Sequence, residues 1–173
     1  MLFRSLKYSK PAIQLTKTLV GVQPKDRCLL PYFPEQHLAN WLATQGEEPI
    51  TIWCFSKTGL MPLIHNYRLL TEHLGIDAIL LIDGGVDGLI HGDEAQIGTP
   101  VEDALSLSAV NSLQNVPLRL LCCLGLGAET EISHTQILEN ISNLCSTNDF
   151  LGSCSLTKSM PCFQLYEIGR AHV

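Results

Sequence analysis

Short continuous apolar runs alternate with longer stretches of helical periodicity over most of the chain. Residues 51–55 form a β-branched and aromatic run that predicts a strand. The next stretch, 62–74, sets Leu63, Ile64, Tyr67, Leu70 and Leu74 on one helical face. The unit then repeats: an apolar strand at 78–82, a glycine-rich turn and a helix over 100–112, then a strand at 118–124, a helix over 134–145 and a last strand at 150–154. Thr99 as N-cap, Pro100 at the first helical position and Glu102 three residues on from Thr99 form a capping box for the second helix. Continuous apolar strands interleaved with helices predict an α/β fold: an open parallel sheet with helices on both faces and its strand C-termini along one edge. Residues 6–48 are irregular, carry Pro11, Pro24, Pro31 and Pro34, and predict one helix near 36–44.

Composition narrows the class. The chain has 173 residues, 46% hydrophobic and 16% charged, enough for one core without disulfides. Its net charge of -6 and the absence of any basic run disfavour nucleic acid as a partner. The seven cysteines are odd in number and lack C-x-x-C spacing, which predicts buried, reduced thiols in a cytoplasmic protein. No apolar run approaches the roughly 18 residues that span a bilayer, so no membrane partner is expected.

The two ends read as foreign sequence. Ile168-Gly169-Arg170-Ala171-His172-Val173 back-translates to a sequencing-adapter frame, ATC GGA AGA GCA CAC GTC. The reverse complement, GTG CTC TTC CGA TCT, encodes Met1-Leu2-Phe3-Arg4-Ser5 when GTG starts translation. The expectation is adapter-derived residues at 1–5 and 167–173, flanking one α/β domain fragment over 6–166 that is cut at both sides and so incomplete at its N-terminus.

The chemistry concentrates where the 78–82 strand ends. Asp83 would stand at the C-terminal mouth of the sheet, where open α/β folds place ligands. Gly84, Gly85 and Gly88 let the following loop close around a ligand that a Cβ would exclude. Asp87, Asp93, Glu94, Glu102 and Asp103 follow, giving six carboxylates in 21 residues, interrupted by five glycines and His91. Such a supply of oxygen suits a hard cation, Mg²⁺ or Mn²⁺, with Asp83, Asp87, Asp93 and Glu94 as the candidate ligands. The competing reading is structural: Asp83 and Asp87 cap turns, Asp93 and Glu94 are solvated, and Glu102 serves its capping box.

A second crest, Gly125-Leu126-Gly127-Ala128-Glu129, ends the 118–124 strand and predicts a cleft beside the first. Ser133 can N-cap the next helix, and His134 either faces the cleft as proton carrier or ligand or packs at the helix start. Gly125 and Gly127 lack the third glycine of a dinucleotide fingerprint, and Ser56-Lys57-Thr58-Gly59 lacks the glycine frame of a phosphate loop, although a helix N-terminus there can hold an anion. Cys122 and Cys123 lie within a strand and read as inert.

Asp83-Gly84-Gly85-Val86-Asp87-Gly88, Gly92-Asp93-Glu94 and Gly98-Thr99-Pro100-Val101-Glu102-Asp103-Ala104 together resemble the domain of unknown function family 1152. The likeness continues through Gly125-Leu126-Gly127-Ala128-Glu129, Ser133-His134, Leu138-Glu139-Asn140-Ile141 and residues 150–157, with a weaker match at Pro31-Tyr32-Phe33-Pro34-Glu35. The resemblance implies a Rossmann-like protein opening on a glycine-rich strand and turn that ends in Asp. No such motif stands before Leu30.

The functional expectation is a metal-assisted enzyme acting on a small phosphorylated or nucleotide-like molecule. Glu129 or His134 would move protons, and Gly84, Gly85, Gly88, Gly98, Thr99, Glu102, Asp103, Gly125 and Gly127 would line the ligand. The alternatives are a non-catalytic nucleotide- or metabolite-binding module, and a scaffold whose carboxylates only cap turns; residue types alone leave open whether catalysis occurs.

Overall fold

The computed structural model describes residues 9–10, 13–24, 26–28, 33–45, 48, 50–94 and 100–164. The expected foreign ends and the candidate ligand residues Gly98 and Thr99, with the Thr99 cap, lie outside the described residues. The fold is mixed α/β. In order it runs β1 (Ser9–Lys10), β2 (Ile13–Thr16), β3 (Leu19–Val22), β4 (Arg27–Cys28), α1 (Pro34–Thr44), β5 (Ile52–Phe55), α2 (Leu60–Leu74), β6 (Ala78–Asp83), α3 (Pro100–Asn111), β7 (Leu118–Cys123) and α4 (His134–Ser146). Single 3-10 turns, Asp87–Leu89 and Leu126–Ala128, follow β6 and β7.

The N-terminal half is more ordered than its prolines suggest. Strands β2 and β3 form a hairpin around Lys17 and Thr18, and β3 pairs antiparallel with β5. Side-chain chemistry pins this hairpin to α2: buried Asn66 accepts from Thr16 Oγ1 at 2.9 Å and donates from Nδ2 to Thr18 Oγ1 at 2.9 Å. An amide buried with both ends satisfied costs little and fixes the register of the elements it joins. Val20, Val22, Phe33 and Cys54 form the apolar core of this half, with Ile52 packed against it.

Strand β5 therefore belongs to an antiparallel sheet, where the β-α alternation predicted a parallel one. The parallel ladder among the described residues is the pair β6 and β7, in register from Ala78 opposite Leu118 to Asp83 opposite Cys123. One face of this pair is partly covered: Leu81, Leu121, Asp83 and Cys123 lie toward α3 and the Asp87–Leu89 turn, with Leu121 still 37% exposed. On the other face Leu80 and Ile82 are 55% and 63% exposed. The expectation of helices on both faces is corrected here for the described residues. A continuous apolar run records that both sides of a strand are apolar, but a covering layer must come from elsewhere, and α1 packs against β3 and β5 instead.

The predicted strand at 150–154 is absent as a strand; these residues pair with no neighbour in a ladder among the described residues, and Leu151 is 78% exposed. The thiols also depart from expectation. Cys54, Cys122, Cys123, Cys145, Cys154 and Cys162 are free, but Cys145, Cys154 and Cys162 are exposed and only Cys54 among these six is buried. No helix among the described residues is long and apolar enough to cross a membrane.

The second core lies beneath the glycine-rich crest. Val86, Ile132 and Ile137 are buried together, with Leu89, Ile90, Cys123, Leu126 and Ile141 against them. Ile137 is completely buried, so it ties α4 to the loop after β6. Ile137→Ala is expected to lower stability by about 3 kcal/mol, the usual cost of an emptied aliphatic core site; chemical denaturation followed by circular dichroism checks it.

Candidate functional site

The loop after β6 is built around the carboxylate of Asp83. Its Oδ1 accepts the Gly85 N–H at 2.8 Å and its Oδ2 accepts the Gly88 N–H at 2.9 Å. The backbone amide of Leu124 donates to the carbonyls of Asp83 and Gly85 at 3.0 and 3.1 Å, locking the loop to the end of β7. Packing is tight at Gly88, where an added Cβ would stand 3.2 Å from Leu121 Cδ2, 3.4 Å from Asp83 Oδ2 and 3.5 Å from Cys123 Sγ, so the Leu121 side chain would have to give by a few tenths of an ångström. Gly125 starts the second crest with φ 84°, a left-handed conformation suited to glycine. Gly84 and Gly127 are exposed and open, and neither position is sterically closed to a side chain.

The first turn of α3 lies between two loops. Glu102 pairs with Lys57 from the β5–α2 connection, and this bond holds its carboxyl below the ordinary range. Glu102 thus serves an ion pair. The next residue, Asp103, faces the other way electrostatically: burial raises its pKa first, and the charges of Asp83 and Asp87 raise it further. Cys123 senses the same field, its thiol pushed up to about 12 by burial and then by Asp83. A thiol held in that state is a packing group and not a nucleophile at neutral pH.

Glu94 belongs to a different cluster from Asp83. It is 8% exposed and accepts the N–H groups of His91 and Gly92 at 2.7 Å each, and Asn140 Nδ2 at 3.0 Å. Asn140 also donates to the Leu89 carbonyl at 2.9 Å, so one amide of α4 holds both ends of the 89–94 segment. These bonds, led by that from His91, lower the Glu94 pKa to about 2. Asp93 is exposed. Among the described residues no three His, Cys, Asp or Glu side chains converge as a metal would require. The four expected metal ligands therefore do not form one cage: Asp83 and Asp87 share the field at Asp103, while Glu94 binds backbone amides beside α4. Carboxylates that close in sequence separate because each glycine-permitted bend satisfies the nearest acid with its own N–H groups.

The expected proton carriers lie in one loop. Glu129 Oε1 accepts the N–H groups of Glu131 and Ile132, and His134 Nε2 lies 3.1 Å from the Glu129 carbonyl oxygen. Ser133 stands at the N-cap of α4 without a side-chain cap bond. Sequence reasoning passed over Asn140 as a contact residue; a polar residue on the apolar stripe that carries Ile137 and Ile141 was the available signal.

Residues 36–170 match the family described as Protein of unknown function (DUF1152). The chain belongs to this family. The matched span contains both crests, Asp103 and Asn140, whereas the weaker likeness at Pro31 to Glu35 falls before it. No curated protein and no solved structure matches the chain.

The bonding of Glu94 sets a pH dependence. A carboxylate lowered from 4.5 to about 2 contributes stability that is complete above the ordinary value and is lost as pH falls from 4.5 towards 2. In Glu94→Gln that contribution is gone at every pH. The stability gap between wild type and variant should be widest above about pH 5 and close on acidification, as read by urea titrations at several pH values.

Proposed function

We propose that this DUF1152 protein is a metal-assisted enzyme, of Rossmann-like and cytoplasmic kind, acting on a small phosphorylated or nucleotide-like molecule at the β6–β7 crest. The observation that carries the reading is Asp103, a carboxylate raised by burial and by Asp83 and Asp87 at the C-terminal end of a parallel pair. Like charges gathered there are relieved by a cation. Mg²⁺ commonly takes one or two protein carboxylates and completes its shell with water and ligand phosphate, so an all-protein cage is not required. Asp87 and Asp103 are the proposed pair, while Asp83 keeps the loop in shape through Gly85 and Gly88.

The neighbouring β5–α2 connection supports a phosphate-bearing ligand. Lys57 brings it against the first turn of α3, and Thr58 Oγ1 is buried without a hydrogen-bond partner among the described residues. A hydroxyl and a lysine at the start of α2 suit a phosphate oxygen. The bound cation would polarise that phosphate, and the chain's own residues would orient it.

A second reading, a non-catalytic nucleotide- or metabolite-binding module, is favoured by Glu129 and His134. Both commit polar atoms to their own loop, leaving no assigned proton carrier. Thermal-shift measurements separate the two. Under the enzyme reading, Mg²⁺ or Mn²⁺ raises Tm, a nucleotide or sugar phosphate raises it further only with the metal, and the phosphate bond is cleaved or transferred. A metal-independent shift without turnover supports the module, and no shift with any combination overturns both.

Asp103 supplies an independent check. A raised carboxylate pKa favours the fold below the ordinary 3.8 and opposes it as pH rises through the raised value. Asp103→Asn should therefore raise Tm at pH 7, lose that advantage in acid, and abolish the Mg²⁺ shift, all by scanning calorimetry.

A further inference from the structure

The outer edge of β7 is open. Leu118 N–H donates to the Asp77 carbonyl and Leu124 N–H to the Asp83 carbonyl, so in this parallel ladder the even-numbered residues of β7 turn their backbone groups to β6. The N–H and C=O groups of Arg119, Leu121 and Cys123 point the other way, and no strand pairs with them among the described residues. Folded chains usually blunt such an edge with proline, a bulge or several charges. Strand β7 carries one charge, Arg119, and no proline, and its register with β6 is unbroken.

A groove lies beside this edge. Between α3 and the strand pair is a cavity of about 360 Å³, with Leu81, Leu107, Val110 and Leu121 as apolar walls. Leu121 stays exposed there although it lies on the face turned to α3. Arg119 also lines the cavity. Its Nη1 donates to the carbonyls of Asn111 and Leu113 where α3 ends, which leaves Nε and Nη2, the side fork that fits a carboxylate. No acid pairs with this guanidinium among the described residues.

An open edge, an apolar cavity and a cation without an acid are together complementary to an extended peptide. The backbone of an added strand bonds the edge, and its alternate side chains fall on one face. A side chain opposite Leu121 enters the cavity, and one opposite Arg119, two positions along, reaches the guanidinium. We propose that the β7 edge binds an extended peptide segment of a partner protein by strand addition, with an apolar side chain in the cavity and an acidic one, two residues away, on Arg119.

The probes are the blocked peptide Thr-Val-Glu-Val-Leu-Val-Thr and its reverse, Thr-Val-Leu-Val-Glu-Val-Thr, titrated calorimetrically into the full chain; a parallel strand presents acid and leucine in the first order and an antiparallel one in the second. One of them should bind, and no binding of either at about 1 mM overturns the proposal. Replacing its Glu by Gln should weaken it about threefold, the worth of an exposed ion pair, and in Arg119→Gln the two peptides should bind alike. Equal affinities in the wild type, or a difference that survives in Arg119→Gln, refute the acidic contact. The wild-type comparison decides alone if that variant does not fold. Location is read by amide hydrogen exchange in nuclear magnetic resonance: saturation should slow the Arg119 and Leu121 amides at least about tenfold. Unchanged exchange despite calorimetric binding overturns the assignment. Slow exchange at both amides before peptide is added also overturns it, the edge being filled by a second copy if dilution restores exchange and by this chain itself if it does not.

Discussion

Everything at the parallel edge depends on one carboxylate accepting two backbone amides. Asp83 bonds Gly85 and Gly88, and this turns the chain back over the end of β7, where Leu124 closes the ring of hydrogen bonds. The bend brings Val86 down onto Ile132 and Ile137, so α4 packs where it does because the turn presents an apolar residue there. It also sets Asp87 within the field of Asp103. Without an acceptor for those N–H groups the glycines would have no single conformation, since they gain their freedom at an entropic cost.

The two acidic clusters illustrate opposite uses of the same side chain. Glu94 is buried and accepts three N–H donors, and its negative charge is the stabilised form. Asp103 is partly buried with acids nearby, and its neutral form is favoured relative to an ordinary Asp. The first arrangement builds a loop; the second stores repulsion that a binding partner can release.

Legibility in the sequence followed how local the determining physics was. Helices α2, α3 and α4 and strands β6 and β7 appear where periodicity places them, because each is set by its own apolar spacing. The β2–β3 hairpin was hidden: Lys17 and Thr18 make an inconspicuous turn, and the fixing interaction is with Asn66, about fifty positions away. The partner of β5 was equally unreadable, since an apolar strand does not say whether its neighbour runs parallel. At the site, the glycines and Asp83 were recognisable as a crest. Which acids would share a field was not, because that depends on where α3 and α4 dock and not on distance along the chain.

The uncovered side of β6 and β7 has a practical meaning. Leu80, Ile82 and Leu118 present aliphatic carbon to water beside strands whose outer edges are not laddered among the described residues. Surfaces of that kind gain most by self-association, so concentration and ionic conditions will govern whether preparations of this polypeptide stay monodisperse or turn turbid.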